Sequence, residues 1–213
     1  MGLLGPESFV GLAEESGMIV PLGRHVLQVA CRQAFAWFGA SRAGPFVSVN
    51  LASRQLRDEH LVDDVRTALS DSGLRPQQLQ LEITESAVIG TDPLTGHTLD
   101  ALSDMGVRLA IDDFGTGYSN LTYLRELPLD ELKLDGSFLR GLQCEEAADP
   151  VDVQLVGSIV SLAHLLGLTV TAEGVETQAQ VKILSELGCD AGQGTYFRPA
   201  ADPADVGRLL API

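Results

Sequence analysis

Six short runs rich in Val, Ile and Leu recur along the chain, with longer stretches of helical spacing between them. Such alternation implies an α/β fold, a parallel sheet wound with helices. The strand candidates are Phe46 to Asn50, Leu79 to Thr84, Arg108 to Asp112, Glu131 to Leu134, Leu168 to Ala172, and a weaker one near Asp190 to Gln193. Helices are expected at about Pro21 to Phe38, Gln55 to Ser72, Pro93 to Met105, Pro150 to Leu166 and Thr177 to Leu187. Pro21, Pro93 and Pro150 fall where a first helical turn tolerates a missing N–H, and Gly73, Gly106, Gly167 and Gly188 follow helical runs as C-terminal stops. No linker divides the chain, so one domain is expected over residues 1–213. A complete (β/α)8 barrel, typically ~250 residues, would be tight at that length.

The ends of these runs carry the chemistry. Asn50 closes the first, Glu82 and Glu85 the second, Asp112 and Asp113 the third, Lys133 and Asp135 the fourth, while Glu173 follows the fifth and Gln193 the sixth. In parallel α/β sheets the C-terminal strand ends share one face, so these groups gather in one cleft. Within Leu79 to Thr84 the period-2 alternation sets Gln80, Glu82 and Thr84 on one face, which suggests a polar barrel interior. The cluster offers oxygen donors and one Lys but no Cys or His, so a bound metal should be hard, Mg2+ or Mn2+. Two such ions bridged by Asp112 or Asp113 would offset the carboxylates, leave a positive platform for a phosphate diester and activate water. Lys133 would hold the attacking water or steady the developing charge.

Composition narrows the partners. Fourteen Lys and Arg against twenty-nine Asp and Glu give a net charge of −15 with no basic cluster, which argues against a nucleic-acid polymer or an anionic membrane. The most apolar stretch, Leu155 to Leu168, is too short and polar for a membrane span and reads as a buried helix. Cys31, Cys144 and Cys189 show no paired spacing, so reduced thiols in a cytoplasm are expected. The four histidines are scattered and carry no assigned role, Trp37 with Phe35 and Phe38 reads as core, and the segment from Cys144 to Pro150 reads as an exposed acidic loop.

Several segments together resemble the EAL-type cyclic-di-GMP phosphodiesterases of bacterial signalling. They are Asn50-Leu51-Ala52-Ser53-Arg54-Gln55, Glu82-Ile83-Thr84-Glu85-Ser86, the run Asp112 through Ser119, Leu132-Lys133-Leu134-Asp135, Ala172-Glu173-Gly174-Val175-Glu176 and Gln193-Gly194. The resemblance implies a modified (β/α)8 barrel with one antiparallel strand. It implies that Asn50, Glu82, Asp112, Asp113 and Glu173 ligate metal, that Lys133 positions the hydrolytic water, and that Gln193 and Asp135 lie at the substrate. Glu85 would steady the Asp-Asp-Phe-Gly-Thr-Gly loop, and Glu176 would be a further acid of the site. The implied activity is hydrolysis of cyclic di-GMP to pGpG, with a homodimer and an upstream sensor or cyclase-type domain as the expected context. Two features depart from the family pattern. The sequence holds no Glu-Ala-Leu tripeptide, and Gly136 stands where Arg or Lys usually follows the Lys-x-Asp. By this alignment the chain starts just after the Glu-Ala-Leu strand and holds about six of eight strands. An EAL-type module that binds cyclic di-GMP or a protein partner without hydrolysis is the alternative expectation.

Overall fold

A computed structural model describes residues 4–39, 45–88, 93–115, 122–143 and 148–210. Two of the expected features, residues 116–119 of the motif and 144–147 of the acidic segment, lie outside the described residues. In chain order come α1 (Val10–Ser16), α2 (Ile19–Phe38), β1 (Val47–Leu51), α3 (Ser53–Leu56), α4 (Leu61–Ser72), β2 (Leu79–Thr84), α5 (Glu85–Val88) and α6 (Pro93–Asp104). They are followed by β3 (Arg108–Phe114), α7 (Thr122–Glu126), β4 (Glu131–Leu134), α8 (Pro150–Leu165), β5 (Thr169–Ala172), α9 (Gln178–Glu186), β6 (Ala191–Gly192) and α10 (Pro203–Leu210).

The strands form one parallel sheet in the order β1-β2-β3-β4-β5-β6. Among the described residues β1 and β6 each pair on one side only, so the barrel is not closed, and the antiparallel strand that the resemblance implies is not among the six. Period-2 alternation splits the sheet into two faces. Leu81, Ile83, Leu109, Ile111, Leu132 and Val170 are fully buried on the helix-covered face. Gln80, Glu82, Glu131 and Lys133 fill the other, each less than a tenth exposed. Register makes this face continuous, with Asn50 opposite Glu82, Gln80 opposite Arg108, and Lys133 opposite Thr171.

Several sequence expectations need correction. The single helix expected over Gln55 to Ser72 is two, because Asp58 accepts from the His60 N–H and, through its carbonyl, from the Leu61 N–H, making a turn that interrupts the run. The Leu155 to Leu168 segment is not buried all round: α8 exposes Val151, Leu155 and Leu165. Trp37 and Phe35 are not core either. Phe35 is exposed, and the Trp37 Nε1–H donates to the Pro203 carbonyl at 3.1 Å, fastening α10 to α2. Asp149, taken as loop, caps α8 by accepting from the Val151 N–H at 2.8 Å. The four stop glycines all adopt positive φ.

Candidate active site

The C-terminal ends of β1 to β5 converge on the Lys133 ammonium. Its Nζ lies 2.8 Å from Glu82 Oε2 and 3.5 Å from Asp112 Oδ1, and it also contacts Glu173 Oε1. Burial works against the Lys133 charge, but hydrogen bonds to Glu173 and Glu82, and their charges, outweigh it and hold the ammonium above its ordinary range. Burial pushes the Glu173 carboxyl up, although Lys133 pulls it back down.

Asp113 owes its place to a break in the strand. In a regular strand Asp112 and Asp113 would point to opposite faces. Here the β3–β4 register shifts between Ile111 and Phe114, and Asp113 takes φ +54°, the left-handed region that non-glycine residues seldom occupy. Both carboxylates therefore reach the same mouth: oxygens of Asp112, Asp113 and Glu173 all lie within 4.8 Å of one another. Burial, then the charges of Asp112 and Asp135, raise the Asp113 carboxyl above its usual range against the pull of Lys133. Asp135 itself is held low by the Ser137 side chain and, against burial, by the N–H groups of Ser137 and Gly136.

This donor set fits a hard divalent cation, since it is all oxygen and carries more negative charge than Lys133 offsets. Asn50 adds a side-chain amide to the cluster. One terminal atom of its amide lies 3.2 Å from both Asp112 Oδ2 and Glu82 Oε2. With nitrogen there it donates to both; with oxygen there, three oxygens converge as a cation requires.

Glu85 opens α5 with its side chain fully buried and accepts from the Gly115 N–H at 2.9 Å, tying the end of β2 to the loop after β3. Gly115 has φ +91°, and a Cβ there would stand 2.3 Å from the Phe138 ring. Gly115→Ala is therefore expected to cost more than ~1 kcal/mol, read as a lower thermal midpoint.

The sequence matches the EAL domain family over residues 1–200. The chain belongs to the EAL domain family. Among curated relatives, this EAL chain is 45% identical over 212 residues to MucR of Pseudomonas aeruginosa, a bifunctional diguanylate cyclase/cyclic di-GMP phosphodiesterase, covering 100% of this chain and 30% of MucR. It is 44% identical over 196 residues to the cyclic di-GMP phosphodiesterase NbdA of the same organism, covering 92% of this chain and 24% of NbdA. The chain thus spans between about a quarter and a third of the length of these relatives. Among solved structures, the PaMucR phosphodiesterase in complex with c-di-GMP superposes with a TM-score of 0.88 at 42% identity, covering 96% of this chain and 81% of that one. The EAL enzyme Bd1971, in its cAMP and cyclic-di-GMP bound form, gives a TM-score of 0.91 at 29% identity, covering 98% of this chain and 56% of that one.

The residues named from sequence differ in how the structure places them. Asn50, Glu82, Asp112, Asp113, Lys133 and Glu173 come together, with Asp135 close enough to perturb Asp113. Glu176 and Gln193 are exposed; the Glu176 N–H donates to Gln180 Oε1 at 2.8 Å, the Gln193 carbonyl accepts from the Val175 N–H at 3.0 Å, and the Gln193 N–H donates to the Ala172 carbonyl at 2.8 Å. A groove of about 470 Å3 runs from Asn50, Asp112 and Asp113 to an apolar wall that includes Phe9, Ile19 and Leu22. Sequence reasoning does not reveal that wall, because neither α1 nor α2 has a side-chain N-cap to mark its start. Among the described residues no helix is long and apolar enough to cross a membrane.

Proposed function

We propose that this chain is the catalytic domain of a cyclic-di-GMP phosphodiesterase, hydrolysing one phosphodiester of cyclic di-GMP to give linear pGpG. The observation that carries the reading is Lys133 clasped by Glu82, Asp112 and Glu173, beside the bulged Asp112-Asp113 pair. Asn50, Glu82, Asp112, Asp113 and Glu173 would hold two Mg2+ or Mn2+ ions. Bound there, such ions polarise phosphoryl oxygens, lower the pKa of water and offset substrate charge.

The protein groups divide the remaining work. Lys133, kept protonated and fixed on two carboxylates, orients the attacking water and steadies charge on the phosphoryl oxygens. Water adds to phosphorus as the P–O3′ bond breaks, leaving a 3′-hydroxyl and a 5′-phosphate. Glu85 holds the backbone after Asp113, so the carboxylate stays presented despite its strained φ. The apolar wall of the groove suits a flat base beside the charged end. The homodimer has a candidate face in α8, where Val151, Leu155 and Leu165 are exposed. A further sensor or cyclase-type domain in the same polypeptide fits the likeness to MucR, a bifunctional diguanylate cyclase/cyclic di-GMP phosphodiesterase of which this chain spans 30%.

The second reading is binding of cyclic di-GMP or a partner at the same site without hydrolysis. Incubation of purified protein with Mn2+ and cyclic di-GMP separates the two. The first requires pGpG to form; the second requires retention of intact cyclic di-GMP.

A further inference from the structure

We propose that Glu131 and Thr171 are positioning residues: with Gln80, Arg108 and Ser48 they form a second polar layer beneath the carboxylate site that sets the spacing of the strand ends carrying it. The proposal rests on the metal-binding reading of that site.

On four of the five strands the layer repeats the site one same-face step down. Ser48 precedes Asn50 by two residues on β1, Gln80 precedes Glu82 on β2, Glu131 precedes Lys133 on β4, and Thr171 precedes Glu173 at the end of β5. Arg108 stands four residues before Asp112 on β3. Two-residue steps keep the same face, so each member lies on the strand face of the site residue above it.

Glu131 is the hub. Gln80 Nε2 donates to its Oε2 at 2.7 Å, and the Thr171 hydroxyl donates to its Oε1. Gln80 reaches on to Ser48 Oγ at 3.3 Å and accepts from Arg108 Nε at 3.0 Å. The Arg108 guanidinium lies 3.8 Å from Glu131 Oε2 and covers the Phe46 ring at 4.5 Å. Five strands are thereby tied by side chains alone. Gln80 is 1% exposed and Glu131 4%, so the bond at the hub is shielded from water, while Arg108 and Thr171 are half-buried and Ser48 at the edge is exposed.

Such a tie matters because the sheet ladder is interrupted where the site needs it. β3 and β4 lose regular register between Ile111 and Phe114, beside Asp112, Asp113 and Lys133. Thr171 is the register partner of Lys133, and its bond to Glu131 crosses from β5 to β4 beneath the Lys133–Glu173 contact. Apolar side chains of similar volume could fill this space without a desolvated carboxylate. A carboxylate with donors from two strands fixes their relative height, which packing alone does not.

The test is Mn2+ affinity of the purified chain, read from loss of the free aquo-ion signal in electron paramagnetic resonance. Thr171→Val removes only the hydroxyl and keeps the β-branched shape; Thr171→Ser keeps the hydroxyl; Glu131→Leu removes the hub. Thr171→Val and Glu131→Leu should each weaken Mn2+ binding about tenfold or more, the range for residues that orient metal ligands. Thr171→Ser should stay within about twofold of wild type. With saturating Mn2+, Thr171→Val should lower kcat for cyclic di-GMP with little change in KM. Should Glu131→Leu fail to fold, the Thr171 pair carries the comparison. Wild-type affinity in Thr171→Val, or equal losses in Thr171→Val and Thr171→Ser, would overturn the proposal. Absence of Mn2+ binding by the wild-type chain would instead overturn the metal reading on which it rests.

Discussion

Lys133→Met should destabilise the metal-free protein by about 3–5 kcal/mol, the cost of removing one partner from a buried ion pair, and should abolish turnover. Lys133 is 3% exposed and faces Glu82, Asp112 and Glu173, so its loss leaves three carboxylates turned toward one another without a counter-charge. The sign with pH follows. The folded-state pKa of Lys133 is raised, so its contribution is fully present below the unfolded value and fades only in strong base. Glu173 is also raised, so folding takes up protons as pH falls from neutral toward the ordinary carboxylate range, and the variant should regain stability on that side. Denaturant titrations of both proteins across that range read the effect directly. A deficit unchanged between neutral and acid pH would contradict it. Mn2+ should also restore part of the lost stability by binding the folded state alone.

Asp113→Asn should act in the opposite direction on the two properties. Asn tolerates the left-handed φ of +54° and removes a charge that burial, Asp112 and Asp135 all disfavour. The metal-free thermal midpoint should therefore rise by a few degrees, the shift that roughly 1 kcal/mol produces in a domain of this size. Mn2+ affinity and turnover should fall at least about tenfold, because a neutral amide replaces the carboxylate between Asp112 and Glu173. Melting curves with and without Mn2+ should then cross in rank: variant above wild type without metal, below it with metal. A variant less stable in both conditions would show that the Asp113 carboxylate supports the fold and is not held at its expense.

How much of this was written in the chain differs from residue to residue. β2 and β4 match their expected limits because Leu79 to Thr84 and Glu131 to Leu134 are bounded by turn residues and carry unbroken alternation. The same alternation placed Glu82 inside, since two-residue periodicity is local, whereas Lys133 was read from its place at a strand end. Asp113 is different. Adjacent acids in a strand read as one inward and one outward, and only the left-handed backbone with its register shift brings both to one mouth. The break between α3 and α4 depends on the Asp58 turn, which propensity over Gln55 to Ser72 does not reveal. Glu176 was named from motif position and Gln193 from its strand end as well; their backbones join α9 to β5 and β6, and their side chains are exposed. The Gln80–Arg108–Glu131 layer was legible only as polar alternation, because its members lie on strands far apart in sequence.

The central claim is hydrolysis at the Lys133 carboxylate site. Purified chain, Mn2+ and cyclic di-GMP are incubated and the nucleotides separated by chromatography over several turnovers. pGpG should accumulate beyond one equivalent of protein, cease to form on chelation of Mn2+, and be absent with Lys133→Met. Cyclic di-GMP recovered intact from protein that binds both it and Mn2+ would contradict the account.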